Sequence, residues 1–216
     1  RYQSWIVDTF QPYLSGRAVE FGAGIGNISM RIRSHVSSLD LVEPSANLIP
    51  PLVRRFEGDG AVAVFRERLE AHLPKIDDET YDTVILVNVL EHIEDDTQAL
   101  ENLRRVLKPG GHLLLFVPAL KFLYSDLDAL VGHYRRYQRP SLNEKVTDAG
   151  LQVVRSQYFD TLGVFPWWVL NTMMGATAFN PFLVGVYDAV FAPASRMLES
   201  LVAPPFGKNI ILVARH

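Results

Sequence analysis

Three glycines within five residues, in the stretch AVEFGAGIGN, follow a short apolar run and precede a segment with helical spacing. Gly22, Gly24 and Gly26 allow a tight turn there and let the backbone approach a ligand closely. A strand, a glycine-rich turn and a helix, in that order, form the binding corner of an open α/β sheet. The chain is therefore expected to fold as an α/β protein that binds a nucleotide-like molecule at this turn.

Strand-like and helix-like segments alternate along the rest of the chain. Seven strands are predicted, in the stretches AVEF, SLDLVEP, AVAVFRERL, YDTVILVNVL, HLLLFVPA, LQVVRSQYF and NIILVAR. The alternation predicts a mostly parallel sheet with helices on both faces, and the last strand is expected to run antiparallel. Ser141, followed three residues later by Glu144, is expected to cap the helix in SLNEKVTDAG.

A long segment separates the last two predicted strands and carries no charged residue from Thr161 to Tyr187. Prolines and glycines interrupt it, so it lacks the run of about twenty apolar residues that a membrane-spanning helix needs. A helical lid over a substrate pocket is the first interpretation, contact across a dimer the second, and contact with a membrane surface the third. We expect a single domain, made of an N-terminal helix (1–16), a core (17–159), this apolar lid insertion (160–208) and a last strand (209–216).

Composition excludes several classes of function. The formal net charge of −3 supplies no basic field for nucleic acid, and the lack of cysteine rules out disulfides, thiolate catalysis and Cys-ligated zinc. A cysteine-free chain suits the cytoplasm, and we expect a monomer or a homodimer. Asp126 with Asp128, and Asp95 with Asp96, do not form a recognisable set of oxygen ligands, so no metal is expected.

Two acids and one asparagine bear on which ligand the glycine turn binds. A dinucleotide fingerprint needs a third glycine where Asn27 stands. Glu20, two residues before the first glycine, would repel a diphosphate. Glu43 ends the second strand, where a carboxylate can bond both hydroxyls of a ribose, although it could instead merely cap the segment PSANLI. The pattern favours a nucleoside cofactor without a diphosphate.

The sequence resembles class I S-adenosylmethionine-dependent methyltransferases. The motifs that carry the resemblance are VEFGAGIGN, LDLVEPS, YDTVILVNVLEHIEDD, VLKPGGHLLLFVPA and the final apolar strand. LYSDLDALVGHYRRY and PPFGKNIILVARH further resemble a bacterial subgroup that acts on small molecules or on glycan- and lipid-linked acceptors. The resemblance implies a Rossmann-like fold, S-adenosylmethionine as cofactor, and methyl transfer to oxygen, nitrogen or carbon.

By position, the resemblance implies a set of cofactor-binding residues at the ends of the first four strands. They are Glu20, Gly22, Ala23, Gly24, Gly26, Asn27, Glu43, Pro44, Arg68, Leu69, Asn88, Val89 and His92. One position departs from the family, which often has an aspartate after strand three to bind the adenine. Arg68 or Leu69 stands there, so adenine would be held by backbone and apolar packing, or by Glu67 or Glu70.

Two histidines near the ends of strands four and five are candidate catalytic residues. His92 lies among acids, which are expected to raise its pKa, and His133 follows Gly132 in a predicted turn. His92 could alternatively cap a helix or contact the cofactor without moving a proton.

An arginine- and tyrosine-rich stretch after strand five and a pair of tryptophans in the insertion are candidates for binding the substrate. Arginine beside an aromatic ring suits an anionic group, although a solvated helix start paired with acids is an equal alternative. The candidates are Tyr134, Arg135, Arg136, Tyr137, Trp167 and Trp168. An acceptor with an apolar body, which carries an anionic group, fits this pattern best.

Two other classes of function remain open at this stage. A nicotinamide-dependent oxidoreductase would use the same kind of sheet, although Asn27 and the seventh strand speak against it. A non-catalytic module that acts through the apolar insertion is the other alternative, because methyl transfer from an activated cofactor requires no particular catalytic side chain.

Overall fold

A single sheet organises the computed structural model, which describes residues 1–178 and 180–216. Its strands are β1 (Arg17–Phe21), β2 (Ser38–Val42), β3 (Val62–Phe65), β4 (Tyr81–Val87), β5 (Leu107–Pro118), β6 (Gln152–Phe159) and β7 (Asn209–Arg215). They lie in the order β3-β2-β1-β4-β5-β7-β6. β1 to β5 pair in parallel, and β7 lies between β5 and β6, antiparallel to both.

Helices connect the strands and cover both faces of the sheet. They are α1 (Tyr2–Phe10), α2 (Ser29–Ile32), α3 (Ile49–Arg55), α4 (Leu69–His72), α5 (Asp96–Val106), α6 (Asp126–Leu130), α7 (Arg139–Asp148), α8 (Val164–Trp167), α9 (Pro181–Val186) and α10 (Ala192–Leu201). The predicted Rossmann-like architecture, including the antiparallel last strand, is therefore confirmed.

Alternate residues of the strands build two apolar layers, one on each face of the sheet. Val84 and Leu86 of β4 point to the layer that contains Leu103 of α5 and Val146 of α7. Ile85, between them, belongs to the opposite layer, which is filled from α1, α2 and α3. Because the central strands are buried on both faces, the carboxyl edge of the sheet is held rigidly, and the loops that leave it are fixed in position.

The start of α7 differs from the prediction. The helix begins at Arg139, and Gln138 rather than Ser141 occupies the N-cap position. The Ser141 hydroxyl donates to the Gln138 carbonyl at 3.0 Å, so it lies in the first turn of the helix. Pro140 fits that turn because its backbone has no N–H to lose.

The segment between β6 and β7 is mostly helical. α8 continues into a wider, π-type turn (Trp168–Met173), and a second such turn (Tyr187–Phe191) joins α9 to α10. The segment packs on α1, where the Tyr2 N–H donates to Asp188 at 2.8 Å and Arg196 pairs with Asp8 at 2.7 Å. In the described part of the chain, no helix combines the length and the apolar character needed to cross a bilayer.

Candidate functional site

A cleft of about 550 Å³ opens at the carboxyl ends of β1, β2 and β4, and we call it the edge cleft. Its lining residues are Phe21, Gly22, Val42, Glu43, Pro44, Ser45, Glu67, Arg68, Leu69, Glu70, Asn88, Val89, His92, Ile93, Val131, Gly132 and Tyr134. In the sheet, β2 and β3 lie on one side of β1, and β4 and β5 lie on the other. The edge cleft lies at this change of direction, which is the binding position of open α/β sheets.

At the edge cleft, the glycine turn packs closely against the segment that follows β4. Gly22 has φ +71, and a Cβ placed there would overlap the Val89 side chain. Gly24 has φ +58 with open space around it, so its backbone conformation, and not crowding, requires glycine. Glycine at position 22 therefore allows the close approach of Val89, and glycine at position 24 allows the positive φ of the turn.

The amides of the turn are already bonded within the protein. Gly22 and Ala23 donate to the Val42 carbonyl at 2.8 and 3.3 Å, and Gly26 donates to the Ala23 carbonyl at 2.8 Å. The Gly24 amide donates to Glu43 Oε2 at 2.8 Å. A diphosphate site needs several amides that point at the ligand, and these four do not provide them.

Glu43 lies at the end of β2, buried in the wall of the edge cleft with a side chain that is 5% exposed. Oε2 accepts from the Gly24 amide and Oε1 accepts from the Ser45 amide, each at 2.8 Å. Two backbone donors therefore hold the carboxylate in one orientation. Each oxygen has a second lone pair, so the group can still accept both hydroxyls of a ribose.

Glu20 is buried behind the turn and is not among the residues that line the edge cleft. Its Oε2 accepts a 2.5 Å hydrogen bond from the Ser29 hydroxyl of α2. Burial raises the pKa of Glu20 to about 8, against the opposing effect of the Ser29 bond, and the nearby Glu43 raises it further. The carboxyl group is therefore mainly protonated at neutral pH, and it ties β1 to α2.

The segment after β3 supplies the end of the edge cleft where the adenine was expected. Glu67, Arg68, Leu69 and Glu70 all line it. Glu67 is engaged, because it accepts from Lys75 at 2.5 Å and lies 2.9 Å from Nδ1 of His72. The side chains of Arg68 and Glu70 have no such pairing among the hydrogen bonds described, whereas the Arg68 carbonyl accepts from the Ala71 and His72 amides.

The predicted cofactor residues divide into two groups by position. Gly22, Glu43, Pro44, Arg68, Leu69, Asn88, Val89 and His92 line the edge cleft, whereas Glu20, Ala23, Gly24, Gly26 and Asn27 do not. Asn27 accepts a 2.6 Å bond from Arg55, and a Cβ at Gly26 would press on Leu52 and Phe56 of the region around α3. This second group shapes the turn from behind.

Two further cavities continue from the edge cleft toward the insertion. A cavity of about 260 Å³, the bridging cavity, shares Asn88 and Val131 with the edge cleft. A cavity of about 740 Å³, the apolar cavity, shares Tyr2, Trp167 and Lys208 with the bridging cavity and is lined mostly from α8, α9 and the turns beside them. The three cavities therefore adjoin in sequence from the sheet edge to the insertion.

Lys208 lies where the bridging and apolar cavities meet. Its Nζ pairs with the buried Asp160 at 3.1 Å and lies 4.9 to 5.7 Å from the ring centres of Tyr187, Tyr2 and Trp167. Cations favour the faces of aromatic rings. Lys208 could not be predicted as a cavity residue, because nothing in PPFGKNI indicates that the lysine packs against the aromatic residues of the insertion.

His92 and His133 meet at the junction of the edge cleft and the bridging cavity. Their ring centres are 4.6 Å apart, and His133 Nδ1 lies 2.8 Å from Asp128 Oδ1. Burial lowers the pKa of His92, and the neighbouring His133 lowers it further. The expectation that acids raise the pKa of His92 is therefore wrong, because burial of the ring and its imidazole neighbour outweigh the hydrogen bond to the Gly132 backbone, which raises the pKa.

Glu91 and Asp128 are buried beside these histidines. Glu91 is 0% exposed, and neither of its carboxylate oxygens has a hydrogen-bond partner. Asp128 accepts from Ser125, His133 and Arg136. The sequence pattern gave no sign of this grouping, because Glu91 and Asp128 lie on separate segments that meet only in the fold.

The predicted substrate residues are dispersed. Arg136 lines the bridging cavity, Tyr134 lines the edge cleft and Trp167 lines two cavities. Arg135 pairs with Asp96 at 2.8 Å, and the Tyr137 hydroxyl donates to the same carboxylate at 2.9 Å. Trp168 packs against Phe165 and lines none of these cavities. Arg135 and Tyr137 are thus engaged with the start of α5 rather than with a cavity.

Comparison with known proteins agrees with this geometry. Residues 19–113 match the model of a methyltransferase domain family. A probable S-adenosylmethionine-dependent methyltransferase of Mycolicibacterium smegmatis is 29% identical over 134 residues, which cover 56% of this chain and 50% of the relative. A ubiquinone biosynthesis O-methyltransferase of Marinobacter nauticus is 26% identical over 157 residues, which cover 63% and 64%.

Another relative, an uncharacterized 37.1 kDa protein in a transposon of Streptomyces fradiae, is 31% identical over 140 residues, which cover 62% of this chain and 40% of that protein. The chain therefore spans less than two thirds of the length of each of these curated relatives.

Solved structures share the fold at low sequence identity. An S-adenosylmethionine-dependent methyltransferase from Mesorhizobium loti has a TM-score of 0.69 at 13% identity, covering 100% of this chain and 98% of the other. The N-methyltransferase NodS of Bradyrhizobium japonicum, in complex with S-adenosyl-L-homocysteine, has a TM-score of 0.63 at 14% identity, covering 100% and 85%. The family match, the strand order and the edge cleft lead to one conclusion: residues 19–113 are similar to methyltransferase domains, and the chain shares the fold of S-adenosylmethionine-dependent methyltransferases.

Proposed function

We propose that the chain transfers the methyl group of S-adenosylmethionine to an oxygen, nitrogen or carbon atom of a small and largely apolar acceptor. The observation that carries the proposal is Glu43, which is buried in the wall of the edge cleft and held in one orientation by two backbone amides. The edge cleft, at about 550 Å³, is within the usual range for a cofactor-sized ligand. The proposed location is the cytoplasm, which a cysteine-free chain suits.

The bonded amides of the glycine turn support this cofactor over a dinucleotide. A nicotinamide dinucleotide brings a diphosphate that needs donors or cations at the turn. Here the amides of Gly22, Ala23, Gly24 and Gly26 are used within the protein. The Glu43 carboxylate accepts from the Gly24 amide of the turn, and it would repel a diphosphate and suits the uncharged hydroxyls of a ribose.

The residues at the junction would position the acceptor. When bound, S-adenosylmethionine supplies an already activated methyl group, so the protein chiefly aligns the acceptor and excludes water. Asp128 orients His133 through Nδ1, which leaves Nε2 as the ring atom able to take a proton from the acceptor. His133 is therefore the proposed catalytic residue, and His92, which lines the edge cleft, is proposed to contact both ligands.

The apolar cavity supports the proposed acceptor class. Its walls come largely from the uncharged part of the insertion, and it continues into the bridging cavity beside His133. Arg136 and Lys208 both line the bridging cavity, where an anionic group of the acceptor would meet them. The name of the Marinobacter relative, an O-methyltransferase of ubiquinone biosynthesis, supports transfer to oxygen on an apolar molecule.

The proposal is tested by following a labelled methyl group. The purified chain is incubated with S-adenosylmethionine labelled on the methyl carbon and with an organic-solvent extract of bacterial cells. We expect the label to appear in small molecules of that extract. Trp167→Ala, at the wall shared by two cavities, should reduce the labelling at least tenfold, while Trp168→Ala, next in the chain but outside the cavities, should leave it nearly unchanged.

Binding of S-adenosylhomocysteine to both tryptophan variants serves as the control for folding. Label found only in protein or nucleic acid would contradict the acceptor class. Cofactor binding without label in any fraction would favour the non-catalytic alternative.

A further inference from the structure

Three side chains with metal-binding atoms converge at the junction of the edge cleft and the bridging cavity. Glu91, His92 and His133 each offer one such atom, and these atoms lie within 4.8 Å of one another. His92 lines the edge cleft and His133 lines the bridging cavity. The three form what we call the junction cluster, which lies next to the proposed path of the acceptor.

The Glu91 carboxyl group is the unusual member. It is fully buried, and both of its oxygens lack a hydrogen-bond partner. Its Oε1 lies 3.9 Å from Nε2 of His133, which is beyond hydrogen-bonding distance. A buried carboxyl group without partners is costly, and such groups in native proteins commonly serve a ligand.

His133 is prepared to bind through Nε2. Its Nδ1 lies 2.8 Å from Asp128 Oδ1, so this nitrogen is held by a carboxylate and the other faces Glu91. Asp128 is itself fixed by the amide and hydroxyl of Ser125, each at 2.9 Å. A carboxylate behind a histidine is the usual support of a metal-binding imidazole, because it fixes the ring and the proton position.

The backbone holds the cluster together across two segments of the chain. The Tyr134 amide donates to the Glu91 carbonyl at 2.9 Å, and the His133 amide donates to the Asp128 carbonyl at 2.8 Å. The geometry of the cluster therefore depends on main-chain bonds and not on side-chain contacts alone.

The nearby charges also suit a cation. Arg136 is the facing cation, and it is engaged by Asp128 at 3.0 Å and by the Ala119 carbonyl at 3.2 Å. The positive charge of Arg136 is therefore paired within the protein and does not face the junction cluster alone.

We propose that Glu91, His92 and His133 bind a divalent transition-metal ion, with Asp128 as the positioning residue behind His133. Two imidazoles and one carboxylate favour such ions over Mg²⁺ or Ca²⁺, which prefer oxygen ligands. Ligand atoms around a tetrahedral ion lie about 3.4 Å apart, so binding requires side-chain shifts of roughly 1 Å from the observed separation.

This proposal revises the expectation that the chain uses no metal. That expectation rested only on oxygen ligands that lie close together in the sequence. If the proposed function holds, the ion would lie beside the acceptor, where a bound metal lowers the pKa of a hydroxyl group. His133 would then act as a ligand instead of a base. The binding site itself does not depend on that function.

The test is direct binding of Co²⁺ to the tag-free chain after removal of metals with a chelator. Calorimetry and the visible absorption of Co²⁺ should show one ion per chain, and excess Mg²⁺ should not displace it. Glu91→Gln and His133→Ala should each weaken binding at least tenfold. His35→Ala, which removes an exposed histidine outside the cluster, should have no effect.

Thermal unfolding and binding of S-adenosylhomocysteine show whether the variants remain folded. If a variant does not fold, paramagnetic resonance of Cu²⁺ bound to the wild-type chain should reveal couplings to two imidazole nitrogens. The proposal is overturned if Co²⁺ does not saturate one site, if folded Glu91 and His133 variants bind as the wild type does, or if Cu²⁺ shows no imidazole coupling.

Discussion

At the scale of the residue, Glu43 shows how one side chain can select a ligand. The Gly24 and Ser45 amides each take one of its oxygens, so the carboxylate is oriented before any ligand arrives. Such preorganisation avoids the cost of ordering a flexible acid when the cofactor binds. The bond from Gly24 also occupies an amide of the glycine turn that a phosphate would otherwise use.

Glu43→Gln should weaken the affinity for S-adenosylhomocysteine by about 10- to 100-fold, because hydrogen bonds to a charged acceptor contribute roughly 1.5–3 kcal/mol. The amide NH₂ would also face one of the two backbone donors. Equilibrium titration of the variant against the wild type measures the change. Glu57→Gln, at an exposed position, is the matched control, and an affinity equal to that of the wild type in the Glu43 variant would refute the ribose contact.

Glu20 makes a separate prediction about pH. Its pKa is about 8 in the folded protein against 4.5 as an isolated group, so the native state retains a proton that the unfolded chain loses between these values. The stability that the neutral group allows is present below pH 4.5 and is lost as pH rises through the folded pKa.

Glu20→Gln cannot ionise and should remove this loss. In the absence of ligand, the free energy of unfolding of the wild type should fall more steeply between about pH 5 and pH 8 than that of the variant. Chemical denaturation at several pH values measures both slopes. Glu91, whose pKa burial also raises to about 8, contributes equally to both proteins and cancels. Parallel slopes would show that Glu20 is ionised in the native state.

At the scale of the element, the insertion depends on a few polar contacts as well as on apolar packing. Asp160, with φ +67 and no exposed surface, follows directly after β6. It accepts from the Gly163 amide at 3.1 Å and from the Tyr187 hydroxyl, and it pairs with Lys208 at 3.1 Å. This one residue therefore connects the start, the middle and the end of the insertion.

Asp160→Ala should lower the free energy of unfolding by roughly 3 kcal/mol or more, because it leaves Lys208 without its buried partner. Asp160→Asn should cost less, since asparagine tolerates a positive φ and keeps one acceptor oxygen. Urea denaturation compares the variants.

Asp78→Ala is the control, because its side chain is 71% exposed and its pair with Arg105 is a surface pair, worth about 0–1 kcal/mol. An Asp160→Ala variant that is no less stable than the Asp78→Ala variant would contradict this account.

The elements also show what the sequence could and could not predict. The strands and the glycine turn could be predicted from the sequence. Strands that are buried on both faces are runs of apolar residues, and a backbone with positive φ favours glycine. The position of Glu43 could be predicted because this residue directly follows the apolar run that forms β2. The junction cluster was not, since Glu91 and His133 meet only through the Tyr134 amide and the fold of α6.

Arg135 and Tyr137 illustrate the alternative that the sequence left open, in which the stretch pairs with acids of the chain. Their residue types suggested an anionic substrate, and Asp96 of α5 engages them both. A sequence pattern indicates the kind of partner that such side chains need, but only the fold determines whether that partner is a ligand or another part of the chain.

At the scale of the whole molecule, the sheet and the insertion form different cavities. The rigid carboxyl edge of β1, β2 and β4 forms the edge cleft, and the helices between β6 and β7 form the apolar cavity. The bridging cavity joins the two beside His133. A molecule that reaches from the insertion to the sheet edge would place its head at the histidines and its apolar body under α8 and α9.

The central claim is that the edge cleft binds a nucleoside that carries an amino acid and no diphosphate. Calorimetric titration of the intact chain with S-adenosylhomocysteine tests it most directly, with NADH titrated under the same conditions. The account predicts saturable binding of one S-adenosylhomocysteine per chain and no saturable binding of NADH. The absence of heat with S-adenosylhomocysteine at millimolar concentration, or saturable binding of NADH in its place, would contradict it.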